Sequence, residues 1–246
     1  MVVPAAPLLV PDVAQGAAGE LDDCRRALDS ALQMMLAQTP EVIVLVGAGE
    51  GTVRHEAGAT GSLRPVGVDL SVALGPAGVA HVGSPSPSPV VAPSARVALP
   101  LSLTLGAWML TRTSWAGPVT GLEVAAGAAP QVCLGAGAGL ADSPSRTALV
   151  VVADGTARRG PRAPGYTDER ADPFDRSWLD AVARADAGIL AALDPVLADE
   201  LMMTGRAPLQ VLAGAAHGTS WMGELVYADD PYGVQYAVAQ WLPAHA

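Results

Sequence analysis

The feature that most constrains the fold is the segment at positions 41–46, where one glutamate is followed by five β-branched or aliphatic residues and the run stops at a cluster of glycines. A short apolar run bounded by turn residues is typical of a strand buried on both faces of a parallel sheet. Residues 21–38, just before it, carry apolar side chains at helical spacing, and residues 2–10 form an earlier apolar run. This strand–helix–strand order predicts a parallel crossover unit and hence an α/β fold.

The rest of the chain continues this pattern. Residues 148–153 and 209–213 predict two further buried strands, and residues 177–203 predict a helical stretch divided in two by Gly188 and Pro195. We also expect short strands at residues 122–124 and 131–134, and an antiparallel pair over residues 223–241. Residues 97–111 predict a helix, or a strand followed by a helix, and residues 52–93 predict a loop that includes the Pro-rich stretch from Ser84 to Pro89. Together they predict one domain over residues 1–246, with a mixed, mainly parallel sheet and helices on both faces.

Composition excludes several classes of function. The net charge is −10, and all 14 basic residues are arginines. An acidic chain repels a phosphate backbone, so we expect no nucleic-acid partner. Because lysine is absent, Schiff-base chemistry and the lysine of a Walker phosphate loop are excluded.

The cysteines and the hydropathy pattern predict a cytoplasmic protein. Cys24 and Cys133 lie far apart and fit neither zinc nor redox spacing, which is typical of free thiols in a reducing compartment. The first residues lack the basic segment of a signal peptide. Pro93, Arg96 and Pro100 interrupt the apolar stretch at residues 90–110, so we expect no membrane span.

The loops that follow the predicted strands are the candidate binding regions, because ligands of open α/β sheets bind beyond the carboxyl ends of the strands. These loops are residues 47–51, 154–159 and 213–220. Gly47 and Gly49 partly fit a dinucleotide-binding turn, but Thr52 replaces the third glycine and no amphipathic helix follows. A tight turn is therefore the favoured interpretation.

Charged side chains in these loops give the candidate residues. Asp154 can act as a base or orient a ligand, and Arg158 with its neighbouring arginines can bind a carboxylate or phosphate; an Asp-capped turn with solvated arginines is the alternative. His55, near Glu50, and His217 are candidate metal ligands or bases, although a solvated loop position is favoured for each histidine.

Several motifs, in order along the chain, resemble the catalytic B subunit of class III extradiol dioxygenases and the related Memo-like proteins. They are Ala-Pro-Leu-Leu-Val-Pro at residues 6–11, Leu-Val-Gly-Ala-Gly-Glu at 45–50, Val-Ala-Asp-Gly-Thr-Ala at 152–157, Thr-Gly-Arg at 204–206 and Tyr-Gly-Val-Gln-Tyr at 232–236. The combination of residues 154–158, 163–166 and 174–175 most resembles an uncharacterised actinobacterial branch of that superfamily. The resemblance implies the family's α/β fold and a cleft at the strand ends.

The residues that the resemblance would assign to the metal are replaced. The first histidine position holds Ala5, the second holds Gly49 or Glu50, and the last ligand position holds Thr204. The position of the family's catalytic histidine holds Ala157. A non-haem iron site needs two histidines and a carboxylate, and Glu50 is the one residue among these able to supply part of such a set.

Three functional hypotheses follow. The first is a metal-independent relative, without a cofactor, that binds a small ligand or a protein through Glu50, Asp154 and Arg158. The second is an oxygenase or hydrolase with a relocated Fe(II) or zinc site built from Glu50, His55, Asp154 and His217. The third is a protein that binds an anionic metabolite through Arg158, Arg159 and Arg162. The sequence leaves open whether the protein is an enzyme.

Overall fold

A computed structural model describes residues 1–75, 79–81 and 98–244. The strands are β1 (Val2–Val3), β2 (Val42–Gly49), β3 (Val53–His55), β4 (Thr60–Ser62), β5 (Leu70–Ala73), β6 (Val79–His81), β7 (Val119–Ala125), β8 (Thr147–Val152), β9 (Trp221–Asp229) and β10 (Tyr236–Pro243). The α-helices are α1 (Pro11–Ala14), α2 (Asp22–Ala37), α3 (Leu101–Leu110), α4 (Pro130–Ala141), α5 (Ala171–Arg184), α6 (Ala187–Ala191), α7 (Pro195–Glu200) and α8 (Arg206–Ala216). Short 3-10 turns lie at Pro7–Leu9, Gln15–Leu21 and Arg64–Val66.

Seven of these strands form one mixed sheet in the order β3-β7-β2-β8-β1-β10-β9. The four central strands, β7, β2, β8 and β1, run parallel, and the strands on either side join antiparallel. Strands β4, β5 and β6 form a separate small antiparallel sheet. The α/β class and the mixed sheet are confirmed.

Each face of the large sheet has its own hydrophobic core, because side chains along β2 point alternately to the two faces. Ile43 and Leu45 pack with α2, α3 and the small sheet, a side that we call the α2 face. Val44 and Val46 pack with helices α4 to α8, the α8 face. Because side chains alternate along a strand, a continuous apolar run supplies both cores at once. The expected helices on both faces are thereby confirmed.

Two predicted strands are wrong. Residues 131–134 lie in α4 and residues 209–213 lie in α8, which is buried along almost its whole length. The two helices cross so closely that a Cβ on Gly214 would lie 2.1 Å from the Leu134 carbonyl oxygen. A helix buried on all sides shows no polar face, so its sequence looks like that of a buried strand. The strand-end loop expected at residues 213–220 is therefore also wrong.

The expected loop over residues 52–93 is wrong where the structure describes it, because β3, β4, β5 and β6 lie there. The stretch from Ser84 to Pro89 lies outside the described residues. The helical stretch expected at residues 177–203 begins earlier and forms three helices, with breaks at residues 185–186 and 192–194. The antiparallel pair near the end of the chain is confirmed as β9 and β10. No helix in the described ranges has the length and apolarity needed to cross a bilayer.

Candidate functional site

The carboxyl ends of β1 and β8 form the point in the sheet that best fits a ligand site. The chain leaves β1 towards α2 on one face, whereas it leaves β8 towards α5 on the other. Adjacent parallel strands whose connections diverge in this way leave a crevice at their carboxyl ends, and open α/β proteins bind ligands there. Asp154 stands two residues after the end of β8, at the mouth of this crevice.

The Asp154 carboxylate is partly buried and accepts few hydrogen bonds. The backbone N–H of Ala5 donates to its Oδ1 at 2.7 Å, and this is its one hydrogen-bond donor among the described residues. Burial raises the pKa of the carboxyl group from 3.8 to about 7, although the bond from Ala5 opposes the shift. A carboxyl group that titrates near neutral pH can donate or accept a proton at little cost. The sequence placed Asp154 just after a buried strand, and in the structure it follows the end of β8.

Weakly acidic side chains surround Asp154 on the α2 face. Burial and the nearby Asp154 charge raise the pKa of the Cys24 thiol to about 12. The same two causes, in the same order, raise the pKa of the Tyr236 phenol above its ordinary value. Both groups therefore stay protonated at neutral pH. The crevice thus combines one titratable carboxyl group with neutral side chains and no adjacent lysine.

A second carboxylate lies farther along the same edge of the sheet, on the same face. Glu123 of β7 accepts the backbone N–H groups of Glu50 and Gly51 at 2.9 and 3.1 Å through Oε1. Its Oε2 lies 3.0 Å from His55 Nε2. Both side chains of this pair are more than nine-tenths buried. The expectation of a solvated His55 is therefore wrong, because β3 brings the ring against β7.

The pair of His55 and Glu123 occupies the space next to a position that the resemblance assigns to a metal ligand. A Cβ on Gly49 would lie 2.2 Å from Glu123 Oε1, so any side chain at position 49 would displace the carboxylate. Glu123 was missed by sequence reasoning. A charged residue inside the apolar run of β7 is the signal that could have found it, because a buried carboxylate needs donors around it.

The other positions assigned by resemblance do lie around Asp154. Ala5 contacts its carboxylate directly, and Gly205, next to Thr204, donates its N–H to the Asp154 carbonyl at 3.1 Å. Ala157 follows in the same loop. Alanine and glycine side chains cannot ligate iron and threonine is a poor ligand, so these positions do not fit a non-haem iron site.

The proposed relocated metal site is not assembled by this fold. His217 caps the far end of α8, and the helix rise of 1.5 Å per residue places it about 18 Å from Gly205, whose N–H donates to the Asp154 carbonyl at the other end. Glu50 is exposed at the end of β2. Within the part of the chain that the structure describes, no three histidine, cysteine or acidic side chains lie close enough to share a metal ion.

The three arginines of the predicted anion site differ in their surroundings. Arg159 contacts three carboxylates, those of Asp172, Asp175 and Asp230, which balance its charge. Arg158 is partly buried, and its Nη1 donates to the Tyr166 carbonyl at 3.4 Å while its Nε lacks a partner among the described residues. Arg162 donates to the Pro231 carbonyl at 3.4 Å. An anion site would have to use Arg158 and Arg162 without Arg159.

Asp175 was also missed by sequence reasoning, and it organises the loop that carries Asp154. It lies on the α8 face, fully buried. Its carboxylate accepts the Thr156 N–H at 3.0 Å, the Thr156 hydroxyl at 2.6 Å and the Trp178 Nε1–H at 2.7 Å. A Cβ on Gly155 would lie 2.5 Å from this carboxylate, so only glycine fits there. Gly155 and Thr156 are thus explained by packing, whereas Asp154 is not.

The comparisons with known proteins agree with the fold. No protein-family model matches the chain, and no curated protein matches it. The crystal structure of uncharacterized protein JW3007 from Escherichia coli K12 is similar, with a TM-score of 0.51 and 15% sequence identity, over 87% of this chain and 90% of that chain. At this identity the similarity shows the α/β fold alone.

Proposed function

We propose that this chain is a relative of the class III extradiol dioxygenase B subunits that no longer cleaves rings and binds a small hydroxylated molecule in the crevice at Asp154. The observation that carries the proposal is a partly buried carboxyl group, with one hydrogen-bond donor, at a point where the sheet connections diverge. Such a group costs stability where it stands. A ligand donor that completed its hydrogen bonds would recover part of that cost.

The surroundings of Asp154 favour a neutral ligand with hydroxyl groups. The nearby groups Cys24 and Tyr236 stay protonated, and the chain is acidic overall, so an anionic ligand would be repelled. A hydroxyl group can donate to the ionised Asp154 carboxylate or accept from its protonated form. An aromatic diol such as catechol offers two adjacent hydroxyl groups and an apolar ring, which suits the mixed polar and apolar crevice. Exposed Glu50 and partly buried Arg158 would act at its rim.

The proposal is tested with catechol as the probe and untagged protein treated with a chelator. Titration followed by NMR should show saturable shifts in residues of the loop 154–159, without any added metal. Asp154→Asn should weaken the binding about tenfold, since it replaces a charge-assisted hydrogen bond by a neutral one. Asp199→Asn makes the same chemical change on the exposed face of α7 and should leave the affinity unchanged.

Oxygen uptake distinguishes binding from ring cleavage. With Fe(II) and catechol added together, uptake should stay at the rate of the buffer alone, because Ala5, Gly49 and Thr204 cannot form the required ligand set. Uptake that depends on the protein, or one iron per chain that survives dialysis, would contradict the loss of ring cleavage. Absence of any catechol binding, or binding indifferent to Asp154→Asn, would contradict the Asp154 site.

A further inference from the structure

A second candidate site lies at the opposite end of the sheet, where β1 is shorter than the strands on either side of it. β1 has two residues, whereas β8 has six and β10 has eight. Val2 of β1 pairs with Val151 on one side and with Ala239 on the other. Towards the start of β8, residues 147–149 and residues 240–243 of β10 have no strand between them within the described ranges. Neighbouring strands lie about 4.8 Å apart, so this leaves a gap one strand wide, about 9–10 Å across.

A cleft of about 410 Å³ lies in this gap, and we call it the slot. Residues 147–149 and 240–243 line it, together with Met35 of α2 from one face of the sheet and Leu140 of α4 and Leu212 of α8 from the other. A cleft that is lined from both faces at once lies in the plane of the sheet.

Burial along β8 agrees with this position of the slot. Residues 147–149 are partly exposed, whereas residues 150–152, which lie beside β1, are buried. None of the residues discussed around Asp154 lines the slot. The slot is therefore independent of the proposed function.

Backbone groups of β8 point into the slot. The Val151 N–H donates to the Met1 carbonyl at 2.9 Å, and the Met1 amino group donates to the Leu149 carbonyl at 2.7 Å. Residues 149 and 151 thus face β1, and successive residues of a strand direct their N–H and C=O groups to opposite sides. The same alternation directs the Leu149 N–H and both backbone groups of Thr147 into the slot.

Backbone groups of β10 point into the slot from the other side. Ala239 faces β1, where it pairs with Val2, whereas the Ala244 N–H donates to the Ser220 carbonyl beside β9 at 3.0 Å. Alternation between these two positions directs the N–H and C=O of Trp241 into the slot. These groups have no backbone partner among the described residues. Strand edges with free backbone groups readily pair with another strand.

We propose that the slot binds a short extended peptide of a partner protein, which pairs with β8 and β10 as β1 does farther along the sheet. Addition of a peptide strand to a sheet is a general mode of recognition, in which the main chain supplies the hydrogen bonds. Three residues of peptide match the three residues of β8 that lack a neighbour.

The lining of the slot defines the side chains of this peptide. They would alternate between the α2 face, at Met35, and the α8 face, at Leu140 and Leu212. Both sides are apolar, so consecutive apolar residues fit, as in a strand buried on both faces. Arg146 at the rim already contacts the Glu41 carboxylate at 3.3 Å, which leaves no free counter-ion for a charged peptide side chain.

The proposal is tested with the blocked peptide acetyl-Val-Ile-Val-amide and untagged protein. The peptide should bind saturably, as followed by the fluorescence of the tryptophans beside the slot. At saturation, the backbone N–H groups of Thr147, Leu149 and Trp241 should shift in NMR spectra and exchange with solvent more slowly. Methylation of the isoleucine nitrogen removes one backbone donor and should weaken binding about tenfold. Glutamate in place of the isoleucine should weaken it by more than about tenfold, because its charge would be buried unpaired.

Matched variants locate the peptide. Ala215→Phe adds a ring to the wall of the slot and should abolish binding, whereas Ala138→Phe, on the exposed surface of α4, should keep it. If Ala215→Phe does not fold, the methylated peptide and the exchange rates of the wild-type protein decide the question. The proposal is overturned if the peptide does not bind or if the methylated peptide binds equally well. It is also overturned if bound peptide leaves the exchange of the Thr147 and Trp241 N–H groups unchanged.

Discussion

Two aspartates flank the loop after β8, on opposite faces of the sheet, and their surroundings differ sharply. Asp175 is fully buried and accepts three hydrogen bonds, with Arg159 at 3.5 Å as well. Asp154 is less buried, yet it receives a single hydrogen bond from Ala5. The depth of burial therefore does not determine how well each carboxylate charge is stabilised. The number of hydrogen-bond donors around the carboxylate determines it.

These surroundings fit a structural role for Asp175 and the ligand-binding role that we propose for Asp154. Asp175 fixes the loop through Thr156 and Trp178, and no hydrogen-bonding capacity is left unused there. Asp154 lies where the sheet connections diverge, and its raised pKa shows that the protein does not fully compensate its charge. Binding sites are typically where a protein tolerates such a cost. The predictions below measure this difference.

The largest effect is expected at Asp175. Replacing it by Ala leaves the Thr156 N–H and the Trp178 Nε1–H buried without acceptors, so we expect a loss of about 3–5 kcal/mol in the free energy of unfolding. Urea unfolding followed by circular dichroism measures it. Asp172→Ala is the control, since this more exposed residue also contacts Arg159 and should cost less than about 1 kcal/mol. Equal losses for the two variants would refute the structural role of Asp175.

The next effect is expected at Gly49. A methyl group there overlaps Glu123 Oε1, so Gly49→Ala should lower the free energy of unfolding by about 1–3 kcal/mol. A double-mutant cycle with Glu123→Ala gives the sharper test. The second change removes the clashing carboxylate, so the two losses should be strongly non-additive. Additive losses would mean that Glu123 does not fill the space beside Gly49.

Asp154→Asn should act in the opposite direction, by raising stability. The folded-state pKa of Asp154, about 7, lies above its ordinary value of 3.8. Between these values the native state binds one more proton than the unfolded state, so the free energy of unfolding falls as the pH rises through that window. Asparagine cannot ionise and escapes this fall. The variant should match the wild type near pH 4. At pH 8 the full shift would correspond to about 4 kcal/mol, and because Asp154 is only partly buried, solvent screening should reduce the gain to on the order of 2 kcal/mol.

Urea unfolding at several pH values measures this difference, and a ¹³C NMR titration of the carboxyl groups measures the pKa itself. Asp199→Asn, on the exposed side of α7, should show no such pH dependence. A stability difference between Asp154→Asn and wild type that stays constant from pH 4 to pH 8 would show that Asp154 has an ordinary pKa. In that case its contrast with Asp175 would lose its energetic basis.

The sequence predicts the secondary structure of this protein better than its candidate site residues, for a physical reason. Periodicity and apolar runs identify α2, β2, β8 and the pair β9 and β10, because those elements are amphipathic or bounded by turn residues. The same signals fail for α8, where burial on all sides removes the polar face, and for α4, whose exposed positions carry mainly glycine, alanine and valine instead of charged side chains. Local pattern thus predicts an element only where polar and apolar residues segregate along it.

The site residues show a similar division. Asp154 could be found because it directly follows a clear strand, and its position there depends only on local sequence. His55 could not be placed, because its partner Glu123 is 68 residues away and meets it only through the pairing of β3 with β7. The backbone groups of Thr147 and Trp241 likewise face the slot only in the folded sheet. Hydrogen-bond satisfaction is a property of the tertiary structure, which one sequence does not reveal.

The smallest effect on stability is expected at Glu50. This variant separates the contribution of the Glu50 side chain from that of its backbone N–H. The Glu50 side chain is exposed, whereas its backbone N–H donates to Glu123 at 2.9 Å. Glu50→Ala keeps that N–H, so the free energy of unfolding should change by less than about 0.5 kcal/mol. Glu123→Ala removes the acceptor and should cost several times more. If Glu50→Ala proved as costly as Glu123→Ala in urea unfolding, the Glu50 carboxylate would have to make a contact in solution that its exposed position does not provide. Glu50 would then join Asp154 as a second strained carboxylate at this edge of the sheet.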